Sequence, residues 1–279
     1  MPAIRAASVR RAGDASARPQ QTSLWIFSGL FCAALGLQAL ELWKPLSSPL
    51  LASLLDAVFL LAAAATTLLA LARQLPGQNV LLAAGIVAFI GGIAQAVGAV
   101  TGLPFGPFTY TRAAGPELGQ TLPWSAPFIW IVVVFNSRGV ARLVLRPWRK
   151  MRTYGFWLIG ITAALSLLLD FTLEPFATRV KGLWLWGPTR FGFSWCGTPP
   201  TEFWGWTVVS LLALAFATPS LINKSHTKFP PDYHPLAVWI LLNLLFAAGA
   251  AQHQLWPAVI AGGISVAAVT IFAVRGARW

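Results

Sequence analysis

Eight long apolar runs, separated by short stretches that hold nearly all the charge, constrain this chain more than any other feature. A helix needs roughly 17–25 apolar residues to span a bilayer. The runs fall at about 24–41, 50–72, 80–100, 124–145, 154–174, 203–221, 236–252 and 255–273. Backbone polar groups in lipid must be satisfied within the segment, so apolar runs of this length fold as helices. The expected fold is therefore all-α: a polytopic helical membrane bundle of about eight spans, without a soluble domain. Residues 1–22 form a basic segment, expected to be a disordered cytoplasmic tail, and residues 23–279 form a single transmembrane domain.

Composition agrees. Only 10% of residues are charged, against about 25% in soluble domains. The formal net charge is +12, but it is spread over inter-helix loops rather than gathered in a nucleic-acid-binding patch. An inside N-terminus puts the densest cluster inside: Arg142, Arg146, Arg149, Lys150 and Arg152. Lys224, Lys228, Arg275 and Arg278 then fall inside too. On the opposite side Lys44, Arg112, Arg179, Lys181 and Arg190 are interleaved with Glu41, Glu117, Glu174 and Glu202. Positive-inside bias thus gives an N-in, C-in topology. Cys32 and Cys196 form no CxxC, and His226, His234 and His253 have no zinc spacing, so no metal site and no cofactor are expected.

That topology brings two aromatic-rich connections to one side. One is the turn TGLPFGPFTYT at 101–111, too dense in glycine and proline to continue a helix. The other is the loop 175–202, with Trp184, Trp186, Phe191, Phe193 and Trp195. An outer pocket with aromatic walls is expected.

The chain has eight carboxylates. Asp56 and Asp170 lie within apolar runs, where an acid is costly and marks a functional candidate. Asp170 and Glu174 are four residues apart, hence on one helix face, and Pro175 ends the helix there. A carboxyl group kept protonated can act as a general acid. Asp56 lies in the outer half of its run, with Gln95 at similar depth. Glu41, Glu117 and Glu202 read as structural, Glu202 favouring a helix N-terminus. These residues point to acid–base chemistry on a lipid-like molecule.

Three blocks resemble the carotenoid biosynthesis membrane proteins, the CruF-type carotenoid hydratases and bisanhydrobacterioruberin hydratases. The first is the glycine turn, with Gly102, Pro104, Phe105, Gly106, Phe108, Tyr110 and Thr111. The second is Asp170, Glu174 and Pro175. The third comprises Trp184, Trp186, Phe191, Gly192, Phe203, Gly205 and Trp206. Gln95 stands where many such proteins carry glutamate, and Glu202 where asparagine is usual. The resemblance implies hydration of the terminal carbon–carbon double bond of an acyclic carotenoid, without cofactor, in a bacterial or archaeal cytoplasmic membrane. Asp170, Glu174 and Asp56 would be catalytic. Gln95, Pro104, Phe105, Gly106, Phe108, Tyr110, Trp184, Trp186, Phe191 and Trp195 would line the groove, with Phe105, Phe108 and Tyr110 facing the polyene. Partners would be the isoprenoid substrate and membrane lipids. A carotenoid cyclase, or a non-catalytic carrier or transporter, would use similar features.

Overall fold

The computed structural model describes residues 2–188, 192–222 and 230–279, with side chains from residue 21 onward. Among the described residues eight helices are long and apolar enough to cross a membrane. They are α1 (Pro2–Trp43), α2 (Pro49–Ala72), α3 (Gly77–Thr101), α4 (Ala126–Val144), α5 (Tyr154–Pro175), α6 (Pro200–Ala217), α7 (His234–Gln252) and α8 (Trp256–Ala277). The apolar part of α1 is Gln21–Trp43. Its backbone is helical back to Pro2.

Local chemistry sets several helix ends. The Ser48 hydroxyl accepts from the Leu51 amide, and Pro49 fits the first turn, where its missing N–H costs nothing. Gly102 closes α3 in the left-handed region at φ 74°, its amide bonded to the Gly98 carbonyl. At Pro175 the α5 helix gives way to a wide π-type turn, Phe176–Val180.

Helix α4 is the hub, packing against α2, α3, α5, α7 and α8. It is the most buried of the spans. Interhelical hydrogen bonds cross the core from Asn136 to Thr67 and from Thr172 to Asn243. On the α3–α6 side the Phe105 ring occupies space left by two glycines. A Cβ at Gly205 would overlap it, and one at Gly98 would sit 2.8 Å from it. Phe105 is completely buried and lies beside Trp130, which stacks on Trp206 at 4.0 Å. The expectation that Phe105 faces a substrate from the groove rim is therefore corrected. The two glycines let its ring wedge between helices instead.

Two short strands tie the outer connections together. Strand β1 (Phe108–Tyr110) pairs antiparallel with β4 (Trp184–Trp186), placing Phe108 opposite Trp186 and Tyr110 opposite Trp184. Between them in sequence, β2 (Glu117–Leu118) pairs with β3 (Leu122–Pro123). The two aromatic loops thus meet.

Two expectations follow. Gly205→Leu should destabilise the protein by about 1–3 kcal/mol through overpacking against Phe105, read as a lower thermal midpoint in detergent. An even number of spans puts both termini on one side, and positive-inside bias makes it the cytoplasmic side. In a background with the free Cys32 and Cys196 changed to serine, Lys150→Cys should resist an impermeant thiol reagent in intact cells. Ready labelling would invert the orientation.

Candidate active site

Asp170 and Glu174 project from one face of α5 toward α6, as their four-residue spacing requires. Glu202 meets them from the first turn of α6, where the helix dipole favours an acid. One carboxylate oxygen from each lies within 4.8 Å of the others. All three residues are buried. At that separation and an effective dielectric of about 20, two full charges repel by about 3 kcal/mol. Among the described residues no Lys, Arg or His forms a salt bridge with any of them.

Indole N–H groups supply the polar contacts instead. Trp184 and Trp186, two apart on β4 and so on one face of the strand, both donate from Nε1 to Glu174 Oε1, at 2.9 and 2.7 Å. Trp206, four residues after Glu202 on α6, donates to Glu202 Oε1 at 2.8 Å. Four oxygens are left without a protein partner: both of Asp170, Glu174 Oε2 and Glu202 Oε2. Such a set accepts protons, water or a hard cation.

A fourth indole repairs the backbone. Pro175 has no N–H, so the carbonyl of Phe171, four residues earlier, loses its helical donor. Trp195 Nε1 donates to that carbonyl at 3.0 Å. Its ring also meets Phe171 edge-on.

The wall continues through β1. Phe108 lies 5.5 Å from Trp186 and Tyr110 6.1 Å from Trp184, both edge-to-face. The Tyr110 hydroxyl donates to Gln95 Oε1 at 2.7 Å. Burial, then the nearby charges of Glu202 and Glu174, push that hydroxyl above its ordinary range, so it stays a donor. Gln95 is thereby the acceptor that orients Tyr110. Gly106, at φ 109°, lets the turn pass close to α6, where a Cβ would sit 2.6 Å from the Thr201 hydroxyl. Pro104 follows a cis peptide bond in the same turn. Phe191 lies outside the described residues.

Asp56 does not join the carboxylate trio as its depth led us to expect. It bonds Lys181 at 2.9 Å and accepts from Gln38, while Glu41 takes the same ammonium at 2.8 Å. Lys181, brought round by the turn after Pro175, is the cation that holds it away. This ion cluster borders a mainly apolar cleft walled by Phe59, Leu60, Ile129, Phe176 and Phe246. Trp184 also lines that cleft, while its indole N–H binds Glu174, so this side chain touches both cleft and acids. Glu202 is the residue that sequence reasoning set aside. Its signal was a Trp one helical turn later, Trp206, a pairing that makes sense only for a buried acid.

Fold and site together define a polytopic membrane protein with a buried acidic cluster under an aromatic cap. Residues 55–269 match the family described as Carotenoid biosynthesis protein. The chain belongs to that family. The bisanhydrobacterioruberin hydratase of Haloarcula japonica is 28% identical over 120 residues, 43% of this chain and 38% of that protein. The match thus covers well under half of that relative's length. No solved structure matches.

Removing an indole donor leaves a buried acceptor short, at a cost of about 1–3 kcal/mol. Trp184→Phe and Trp186→Phe should each lower thermal stability in detergent by that order. Combined with Glu174→Gln, either should be non-additive by at least about 0.5 kcal/mol. Full additivity would mean that the indoles act only as packing.

Proposed function

We propose that the protein is a carotenoid hydratase, adding water across the terminal carbon–carbon double bond of an acyclic carotenoid end. The observation that carries this reading is the buried trio of Asp170, Glu174 and Glu202, with four unpartnered oxygens and no paired cation among the described residues. Family membership supplies the substrate class, and the name of the Haloarcula japonica relative supports hydration.

Asp170 is the acid in this scheme. Neither of its oxygens receives a hydrogen bond, so nothing favours its anion over its neutral form. Its proton goes to the less substituted alkene carbon, and the alkene π electrons form the new C–H bond. A tertiary carbocation remains beside the faces of the tryptophan, phenylalanine and tyrosine rings, each worth roughly 0.5–2 kcal/mol to a cation. Glu174 is the base. Two N–H donors on Oε1 hold it as an acceptor, and free Oε2 orients a water. That water's oxygen bonds the cationic carbon and its proton passes to Glu174, giving a tertiary alcohol. Return of the proton from Glu174 to Asp170 closes the cycle. Glu202, fixed by Trp206, contributes negative potential to the developing cation. The cleft behind Trp184 takes the polyene, and the reacting end reaches the acids past that indole.

One observation favours a second reading. The acids are sealed from solvent, as a carotenoid cyclase needs if its carbocation is to close a ring rather than meet water.

The test is the pigment profile of a lycopene-accumulating bacterium expressing the chain. A new tertiary alcohol is expected, and ring-bearing products would favour the cyclase. Asp170→Asn should remove product formation by about 10²–10⁴-fold while inserted protein remains at wild-type level. Unchanged alcohol yield would overturn the assignment of Asp170. An inactive Glu174→Gln beside an active Asp170→Asn would exchange the two roles.

A further inference from the structure

The opposite end of the bundle has a second cavity, with inverted charge. It lies between α4, α5, the end of α6 and the start of α7, with a volume of about 540 Å³. Arg138, Arg142, Arg146 and Arg149 line it, together with Tyr154 and Asp232. The four arginines come from α4 and the turn that follows it, at spacings of four, four and three. That repeat places them along one helical stripe continued by the Arg146–Trp148 turn.

Arg138 is the informative member. It sits well inside α4, 6% exposed, and its one hydrogen bond runs from Nη2 to the Leu221 carbonyl at 3.1 Å. A guanidinium has five N–H donors and remains charged. Arg142 donates to Gln74 Oε1 at 2.6 Å. Among the described residues Arg138, Arg142 and Arg149 form no salt bridge. Burying a charge without a counter-charge is costly.

Asp232, the one acid in the lining, is already engaged. It accepts from Gln74 and from the His234 amide, and its carboxylate meets the His234 ring at 2.7 Å. Burial alone would raise its carboxyl, but these hydrogen bonds outweigh it and hold the group below the ordinary range. Gln74 stands between Asp232 and Arg142, bonding both. The lining therefore has four cations against one anion turned toward His234.

We propose that this cavity binds an anionic phosphate group, supplied by the headgroup of an acidic phospholipid. Planar guanidinium forks match phosphate oxygens bidentately, and basic pockets between transmembrane helices suit such headgroups. The surroundings favour a lipid as the source. Trp148, next to the lining residues, is half exposed, as tryptophan is at headgroup depth. Phe156 and Trp157, beside Tyr154 and Gly155, present exposed apolar surface against which acyl chains lie. The site is independent of the carboxylate trio: it shares no residue with it and sits at the other end of α5.

The test uses the purified full chain in neutral detergent. Thermal unfolding and native mass spectrometry are read with phosphatidylglycerol, phosphatidylcholine or inorganic phosphate added. Phosphatidylglycerol should raise the unfolding midpoint and remain bound, while zwitterionic phosphatidylcholine does so much less. Arg142→Gln and the exposed Arg149→Gln should each weaken phosphatidylglycerol binding by roughly ten-fold, the order of a charge-assisted hydrogen bond. Lys150→Gln, outside the cavity lining, should match wild type. Arg149 is exposed and tolerates substitution, so its variant remains informative even where Arg142→Gln or Arg138→Gln does not fold. Stabilisation by inorganic phosphate with none from phosphatidylglycerol would keep the phosphate site and assign it to a soluble ligand. Equal effects of the two lipids, or wild-type binding by both arginine variants, would overturn the proposal.

Discussion

Glu174 Oε1 accepts two indole N–H groups, and the outer end of the bundle depends on that pair of bonds. A carboxylate this deep has lost its water, and two more acids each bring an oxygen within 4.8 Å of it. Without donors the arrangement would be strongly unfavourable. The donors come from Trp184 and Trp186, which face one side because a strand alternates its side chains. The strand needs a partner, and β1 supplies it from a loop more than seventy residues earlier. Glycine turns, aromatic ladder and acidic helix are thus one construction. The glycines let the turn approach, the ladder fixes the indoles, and the indoles hold the acid.

Pro175 acts on the same construction from the backbone. It frees the Phe171 carbonyl, which Trp195 takes, and it starts the wide turn that carries Lys181 round to Asp56 and Glu41. One proline therefore separates two groups of acids. Among the described residues Asp170, Glu174 and Glu202 have no basic side chain paired to them, whereas Asp56 and Glu41 share Lys181. Their environments differ because the chain turns between them.

The helices were legible because spanning a bilayer needs a long apolar run, and each run shows as such in the sequence. The pairing of Asp170 with Glu174 was legible because four-residue spacing is local. Glu202 was not, since only the packing of α5 against α6 brings it to the others. Asp56 was grouped with the acids by depth alone, whereas its partner Lys181 is 125 residues away. Phe105 belonged to a turn that reads as surface, and its burial depends on Gly98 and Gly205 lying opposite it on two helices. Each miss is a tertiary contact. The aromatic loops were matched correctly because topology alone put them on one side.

The charge pattern along the bundle axis has a consequence for folding. Three buried acids gather at one end and four arginines at the other. A direct ion pair between the two groups would neutralise both, but α4 and α5 hold them apart along their length. Arg138 and Asp170 lie on adjacent helices, yet each points to its own end. Positive-inside bias predicts that the arginine end is the cytoplasmic face. The acids are then committed to the outer half, where the aromatic loops lie. Topology and site chemistry follow from the same distribution of charge, and reversing the arginine stripe would disturb both at once.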